Sequence, residues 1–307
     1  MPNPVDYQID SVLTEFSKGY SNNALIGTRL MPRMEVVGRT GFYFVYDKGK
    51  FRIEDSRRSG MSRANRIEFG LATAAYGPLV ERSLEEGITK EVMDTYPAKA
   101  DARQDATETV TENLALGLEK EIADMLTNSS IITQSVTLSG TDQWSDFANS
   151  DPFTDVQTGI DTIKANAMVT PNKLTLGYQA WAKLRHHPDL LGRLSVNTIR
   201  VLTPQLLGDI LGFEEVLIGE ALYNTADEGQ TATMSYVWGK HALIAYVKTS
   251  PKLKTITLGL TLQVKDALYV DRWAEPWIKT EFVRANDFYE AKLVAAEAAY
   301  LIKNVVA

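Results

Sequence analysis

Between Pro97 and Asn128, apolar residues return at every fourth position, Ala106, Val110, Leu114, Leu118 and Ile122, and Met125 and Leu126 close the series. This spacing lays one apolar stripe along a helix and leaves the rest of its circumference polar. At about 1.5 Å per residue such a helix runs on the order of 40 Å, beyond the usual length in globular proteins. It reads as a structural spine.

The elements around it are mixed. The first 40 residues hold two early prolines and the turn-prone Ser21-Asn22-Asn23, and Pro32 lacks a donor and restricts Met31. TRLMPRMEV therefore reads as an extended connection, and residues 1–40 as an arm. GFYFVYDKGKFRI, from Gly41 to Ile53, predicts a strand, a turn at Asp47-Lys48-Gly49 and a second short strand. The basic EDSRRSGMSRANR follows, and IEFGLATAAYG returns as a strand.

Past the spine, IITQSVTL predicts a strand. Asp151 as cap, Pro152 at the first position and Phe153, Val156, Ile160 and Ile163 on one face predict a helix. NKLTLGY reads as a strand, QAWAKLRHH as a short helix stopped by Pro188, and PQLLGDIL as a helix between Thr203 and Gly212. Further strands are EEVLIGEALY, MSYVWGKHALIAYV and TITLGLTLQV. In the last, Ile256, Leu258, Leu260, Leu262 and Val264 alternate with Thr257, Gly259, Thr261 and Gln263, which predicts one buried and one polar face. The tail reads as strand up to Val283 and stays open beyond, because its alanines and glutamates favour helix and its tyrosines and valines favour strand. No strand-helix unit repeats, so the expected class is α+β.

With 307 residues, 44% of them hydrophobic, the chain can bury a substantial core. It has no cysteine, which removes disulfides and thiolate chemistry together. The first residues show no basic stretch followed by an apolar core, and nowhere do about 18 apolar residues run on, so neither a standard signal nor a membrane span is expected.

Catalytic patterns are sparse. No phosphate-binding glycine loop and no G-x-S-x-G occurs. His186 and His187 precede Pro188-Asp189, but their spacing fits no zinc or iron arrangement, and they read as helix-end histidines complementing a dipole. Glu85-Glu86 and Glu214-Glu215 are adjacent, so each pair faces apart and reads as a solvated surface. Trp273 and Trp277 flank Pro276 and read as core or interface packing. No catalytic residue, metal site or cofactor is expected.

Charge is distributed unevenly along a chain of net charge −7. From Arg29 to Arg66 there are ten basic and four acidic residues; from Glu81 to Asp124 there are twelve acidic and five basic ones. Opposed patches on a loop and on a long helix suit mutual recognition between copies of one chain, where charge sets register and apolar contacts supply affinity. Folding of the loop onto its own helix, or simple solvation, are the competing explanations.

The order of parts resembles the major capsid proteins of tailed bacteriophages, the Hong Kong 97-type fold. The resemblance covers the whole chain: an arm, a hairpin with a basic, glycine-containing tip, an acidic spine helix, an α+β body, a strand-rich late subdomain and a returning C-terminus. NKLTLGYQAWAKLRHHPDLLGRL and DFYEAKLVAAEAAYLIKNVV are its most suggestive local matches. The resemblance implies an N-terminal arm at 1–40, an extended loop at 41–80, a peripheral domain with the spine at 81–194, an axial domain at 195–265 and a return to the peripheral domain at 266–307. It implies a non-enzymatic shell subunit, assembled in the bacterial host cytoplasm through pentamers and hexamers into the capsid of a virion. The shell would enclose double-stranded DNA without sequence-specific binding. Expected partners are other copies, a scaffolding protein, a portal and decoration proteins, with no membrane. Arg52, Arg57, Arg58, Arg63 and Arg66 are expected to meet Glu108, Glu112, Glu119 and Glu121 of a neighbour's spine. An encapsulin-type compartment shell shares this fold and is the nearest alternative; a carboxylate-dependent hydrolase or carbohydrate-binding protein is the alternative from another class.

Overall fold

The computed structural model describes residues 8–45, 53, 55–58, 60–61, 63, 72–95, 99–193, 201–248 and 256–307. The first half runs β1 (Gln8–Ile9), α1 (Ser11–Gly19), α2 (Gly27–Leu30), β2 (Arg33–Val36), β3 (Gly41–Phe44), β4 (Thr73–Tyr76), β5 (Val80–Thr89), α3 (Lys90–Thr95) and the spine α4 (Lys99–Leu126). There follow β6 (Ser135–Thr137), α5 (Pro152–Ala167), β7 (Lys173–Gly177), α6 (Tyr178–Leu184), α7 (Pro188–Gly192) and α8 (Pro204–Leu211). The rest is strand: β8 (Glu215–Gly219), β9 (Leu222–Asn224), β10 (Met234–Tyr236), β11 (Ala242–Ala245), β12 (Gly259–Val264), β13 (Tyr269–Glu275), β14 (Thr280–Leu293) and β15 (Ala299–Lys303).

Two sheets organise the body. The first has the order β1-β13-β14-β12-β2, with β5 on the other side of β14. Val270, Val283, Ala285 and Ile88 of this sheet pack against Leu13 of α1 and Ala102, Ala106, Val110 and Leu114 of α4. The second has the order β6-β15-β11-β7-β8. Ala242 and Ile244 of its central strand join the core under α5, α6 and α8, whereas Leu243 and Ala245 join Leu118, Ile122 and Leu126 of α4 and Ile26 and Leu30 of the arm. This sheet is therefore buried on both faces, which is why β7 has no exposed residue.

The four-residue apolar spacing explains how one helix serves both sheets. On a 3.6-residue helix each step of four advances the stripe by about 40°, so the buried face turns progressively along α4. Its first half faces the first sheet and its second half faces the second. Among the described residues no helix is long and apolar enough to cross a membrane.

Several expectations change. The arm is not wholly extended: the Asp10 carboxylate accepts from the Val12 and Leu13 N–H groups at 3.0 and 3.1 Å and opens α1, which buries Leu13. The polar face of β12 is also buried, because Met31 of the arm lies over it and its carbonyl accepts from Thr261 Oγ1 at 2.9 Å. The tail beyond Val283 remains strand, as β14 and β15, and its alanines 291, 298 and 299 are core residues. His187 is fully buried beside Ser150 Oγ at 3.0 Å, and burial pushes its pKa down, so it is a core residue rather than a dipole partner. Glu215 is not simply solvated: it pairs with Arg29 and, at 2.6 Å, with Lys173. The divisions expected at 194/195 and 265/266 cut across sheet pairing, since β7 pairs with β8 and β12 pairs with β14.

Candidate interaction surface

The hairpin begins where β3 and β4 pair, Gly41 opposite Tyr76 and Phe44 opposite Thr73. Its root is fixed to the first sheet. Tyr43, Tyr76 and Leu79 pack with Leu260, Leu262 and Val294. The Arg39 guanidinium lies 4.4 Å above the Phe288 ring, and the Gly77 N–H donates to Glu290 Oε2 at 2.9 Å. Gly77 has φ +95°, and a Cβ there would sit 2.2 Å from the Arg39 carbonyl, so only glycine allows the chain to leave the hairpin at this point.

Beyond the root the described side chains face solvent. Arg57, Arg58 and Arg63 are exposed, and so are the apolar Val37, Phe42, Ile53 and Met61. Arg52 and Arg66, together with the turn expected at Asp47-Gly49, lie outside the described residues. Cations interleaved with exposed apolar groups make a surface suited to covering by protein.

The four expected acidic partners separate. At about 100° per residue, Glu112 and Glu119 lie within about 40° of Glu108 around the α4 axis, while Glu121 points to the opposite side. Glu108 and Glu112 are exposed, and Asn22 Nδ2 of the arm donates to Glu112 Oε1 at 3.1 Å. Burial, then a hydrogen bond to Glu112, raises the Tyr20 pKa beside them. Glu121 accepts from Arg82 Nη2 of β5 at 2.6 Å. The same guanidinium lies 4.1 Å above the Tyr289 ring, whose hydroxyl burial pushes up to about 12.

Glu119 leaves the set. It is only 2% exposed and accepts from Ile26 N at 3.0 Å, Gly27 N at 2.6 Å and Trp238 Nε1 at 2.6 Å. Burial raises its pKa, and the three hydrogen bonds oppose that rise. The reason is the turning stripe: by Ile122 and Leu126 the buried face has rotated onto the row that Glu108 and Glu112 hold in the open. Asn22, Tyr20, Arg82 and Trp238 carry no mark in sequence as partners of these acids. The stripe drift alone could have set Glu119 apart.

A cleft of about 600 Å³ lies between the arm, α4 and the turn after β12, with Glu35, Glu119, Asp266 and Asp287 in its wall. Glu119 is committed as above, and Asp287 Oδ2 accepts from Arg33 Nη2 at 2.8 Å. Two of the four carboxylates are thus held by groups of the subunit itself. Trp277 at the β13–β14 turn is 75% exposed, whereas Trp273 stacks on Phe282 within the sheet at 5.4 Å between centroids.

No family model matches the sequence. The chain is 30% identical to a major capsid protein of Burkholderia phage BcepMu, over 97% of this chain and 96% of the relative. Its fold matches the crystal structure of a phage-related protein from Bordetella bronchiseptica, with a TM-score of 0.80, 26% identity and 97% of each chain covered. The capsid structure of cyanophage P-SCSP1u shares the fold alone, at a TM-score of 0.60 and 12% identity over 93% of this chain and 89% of that one.

Proposed function

The chain belongs to the major capsid proteins of bacteriophages, and from that premise we propose that its basic hairpin loop clasps the acidic spine of the next copy in the shell. The protein is a structural subunit of the virion capsid, built from many copies of itself, and not an enzyme. Its α+β architecture is the Hong Kong 97-type capsid fold. The compartment-shell and hydrolase alternatives are not favoured by these relatives.

In this proposal the donors are Arg57, Arg58 and Arg63, with Arg52 and Arg66 on the same loop, and the acceptors are Glu108 and Glu112; Glu121, on the other side of the helix and bonded to Arg82, stands outside the set. The observation that carries it is the exposure of both sets on one chain, cations beside Ile53 and Met61 on the loop and an open acidic row on α4. Each exposed pair contributes on the order of 0–1 kcal/mol, so single contacts stay reversible while a closed shell sums many of them.

The further organisation follows the sheets. The second sheet with α5–α8 serves as the axial domain, the first sheet with α1 and the leading half of α4 as the peripheral domain, and 41–80 as the extended loop. Copies gather as pentamers and hexamers in the host cytoplasm and enclose double-stranded DNA without reading its sequence, assisted by a scaffolding protein, a portal and decoration proteins. The net charge of −7 supports loose contact with packaged DNA.

Charge reversal tests the clasp. The triple variant Arg57→Glu, Arg58→Glu, Arg63→Glu should fail to assemble, and adding Glu108→Arg and Glu112→Arg should restore assembly. Light scattering reads both; unimpaired assembly of the triple variant would refute the clasp.

A further inference from the structure

The turn between β13 and β14 projects Trp277 and Ile278, which are 75% and 51% exposed. Backbone bonds hold it in shape. The Ile278 N–H donates to the Glu275 carbonyl and the Lys279 N–H to the Pro276 carbonyl, both at 3.3 Å, and Thr280 Oγ1 donates to the Ile278 carbonyl at 3.0 Å. The Lys279 carbonyl accepts from the Lys90 N–H at 2.9 Å, which ties the turn to the start of α3. Trp144, Trp181, Trp238 and Trp273 are all buried, so Trp277 is the one indole the subunit leaves in water. A fixed, exposed tryptophan loses little freedom when covered, and anchors of this kind dominate protein interfaces.

The same subunit carries a hollow for such an anchor. Leu25, Leu114, Ala115, Leu118 and Leu268 line the cleft between the arm and α4, whose volume of about 600 Å³ is in the range of pockets that enclose whole ligands. Its acids are not all engaged: among the described residues no ion pair reaches Glu35, and Asp287 Oδ1 is buried without a hydrogen-bond partner. The wall therefore suits a cation, and Lys279, two residues past Trp277, is exposed on the turn.

Tip and cleft cannot meet within one copy. Asp266 and Leu268 of the cleft precede β13 and the tip follows its last residue, so the seven residues of β13 hold the two about 20 Å apart. Contact between two different patches of one chain is heterologous, and a series of such contacts closes into a ring when the rotation permits. In a shell built from many copies, each subunit then supplies both halves of the joint.

We infer that the Trp277–Ile278 tip of one copy seats in the arm–spine cleft of the next, its apolar side chains against Leu114, Leu118 and Leu268 and the Lys279 ammonium toward Glu35. The joint is separate from the clasp and shares no residue with it.

The chain has no cysteine, so an introduced pair reports this joint alone. In particles of a variant carrying Ile278→Cys and Ala115→Cys, confirmed by light scattering, a short bismaleimide should link subunits into a ladder of dimers, trimers and larger species on a denaturing gel. Each copy offers its two thiols to different neighbours, and either substitution alone should leave monomers. Monomers from the double variant overturn the inference; so does a dimer band from Ile278→Cys alone, since tips would then meet tips. Trp277→Ala should slow assembly by at least about tenfold while leaving the melting temperature of the unassembled subunit in place, because the indole touches little of its own chain. Assembly at the wild-type rate would overturn the inference and leave the clasp standing, just as failure of the clasp leaves the cross-link expected here unchanged.

Discussion

Glu119 ties three parts of the chain with one carboxylate: the arm through Ile26 and Gly27, the spine that carries it, and the Trp238 loop before β11. Glu119→Ala leaves three buried N–H groups without an acceptor, each costing about 1–3 kcal/mol, and should destabilise the subunit by about 3 kcal/mol or more in chemical unfolding. Gly27→Ala should destabilise it as well, because its Cβ would stand 2.7 Å from Glu119 Oε2. The histidines set a pH dependence. Burial lowers the pKa of His187 and of His241 below 6.5, so the unfolded chain takes up protons that the folded one resists. Their contribution is complete above the unfolded value and is lost as pH falls below it; the raised Glu119 pKa acts in the opposite sense, favouring the fold at acid pH and fading as pH rises. Melting temperature should therefore drop between about pH 7 and about pH 5.5, and His187→Gln should remove roughly half of that slope. Sequence could not assign these residues, because a polar side chain carries no mark of burial when its donors come from segments about a hundred positions away.

At the scale of elements, the spine shows what local pattern determines. The period of four gave the helix and its length, and the drift of that period on a 3.6-residue turn governs which half meets which sheet. Ile122→Ala, at a fully buried position of the second half, should cost about 2–5 kcal/mol in thermal unfolding. Cap signals were equally legible: Asp151 accepts from Thr154 N at 3.0 Å, and Thr203 caps α8 ahead of Pro204. Less legible were α1, whose cap Asp10 sits in a segment dominated by proline and turn residues, and β14, whose alanines suit helices locally but let neighbouring layers approach within a sheet. The hairpin root depends on Gly77, and Gly77→Ala should shift the loop and slow assembly in a light-scattering time course more than it lowers the melting temperature. Its left-handed φ and the Arg39 contact strain a local turn that few core residues share.

Across the whole molecule, the opposed charge blocks and the order of arm, hairpin, spine and strand-rich body were legible before any coordinates, since they depend on composition and sequence order. What was hidden is how the segments interleave: β15 from the C-terminus lies beside β11 and β6, and β14 joins three other strands of the first sheet. Such pairings depend on closure of long loops, which no local pattern records. They place the hairpin root and the leading half of α4 against the same sheet. Clasp contacts weaken with salt, because exposed charges are screened within about 10 Å at 0.1 M ionic strength. The most direct measurement is negative-stain microscopy of the purified chain, wild type beside the Arg57→Glu, Arg58→Glu, Arg63→Glu variant, at low and high salt. Closed shells or rings from the wild type that thin out as salt rises, with none from the variant, are the expected result; shells that form equally well from both proteins at every salt concentration would contradict the charged clasp.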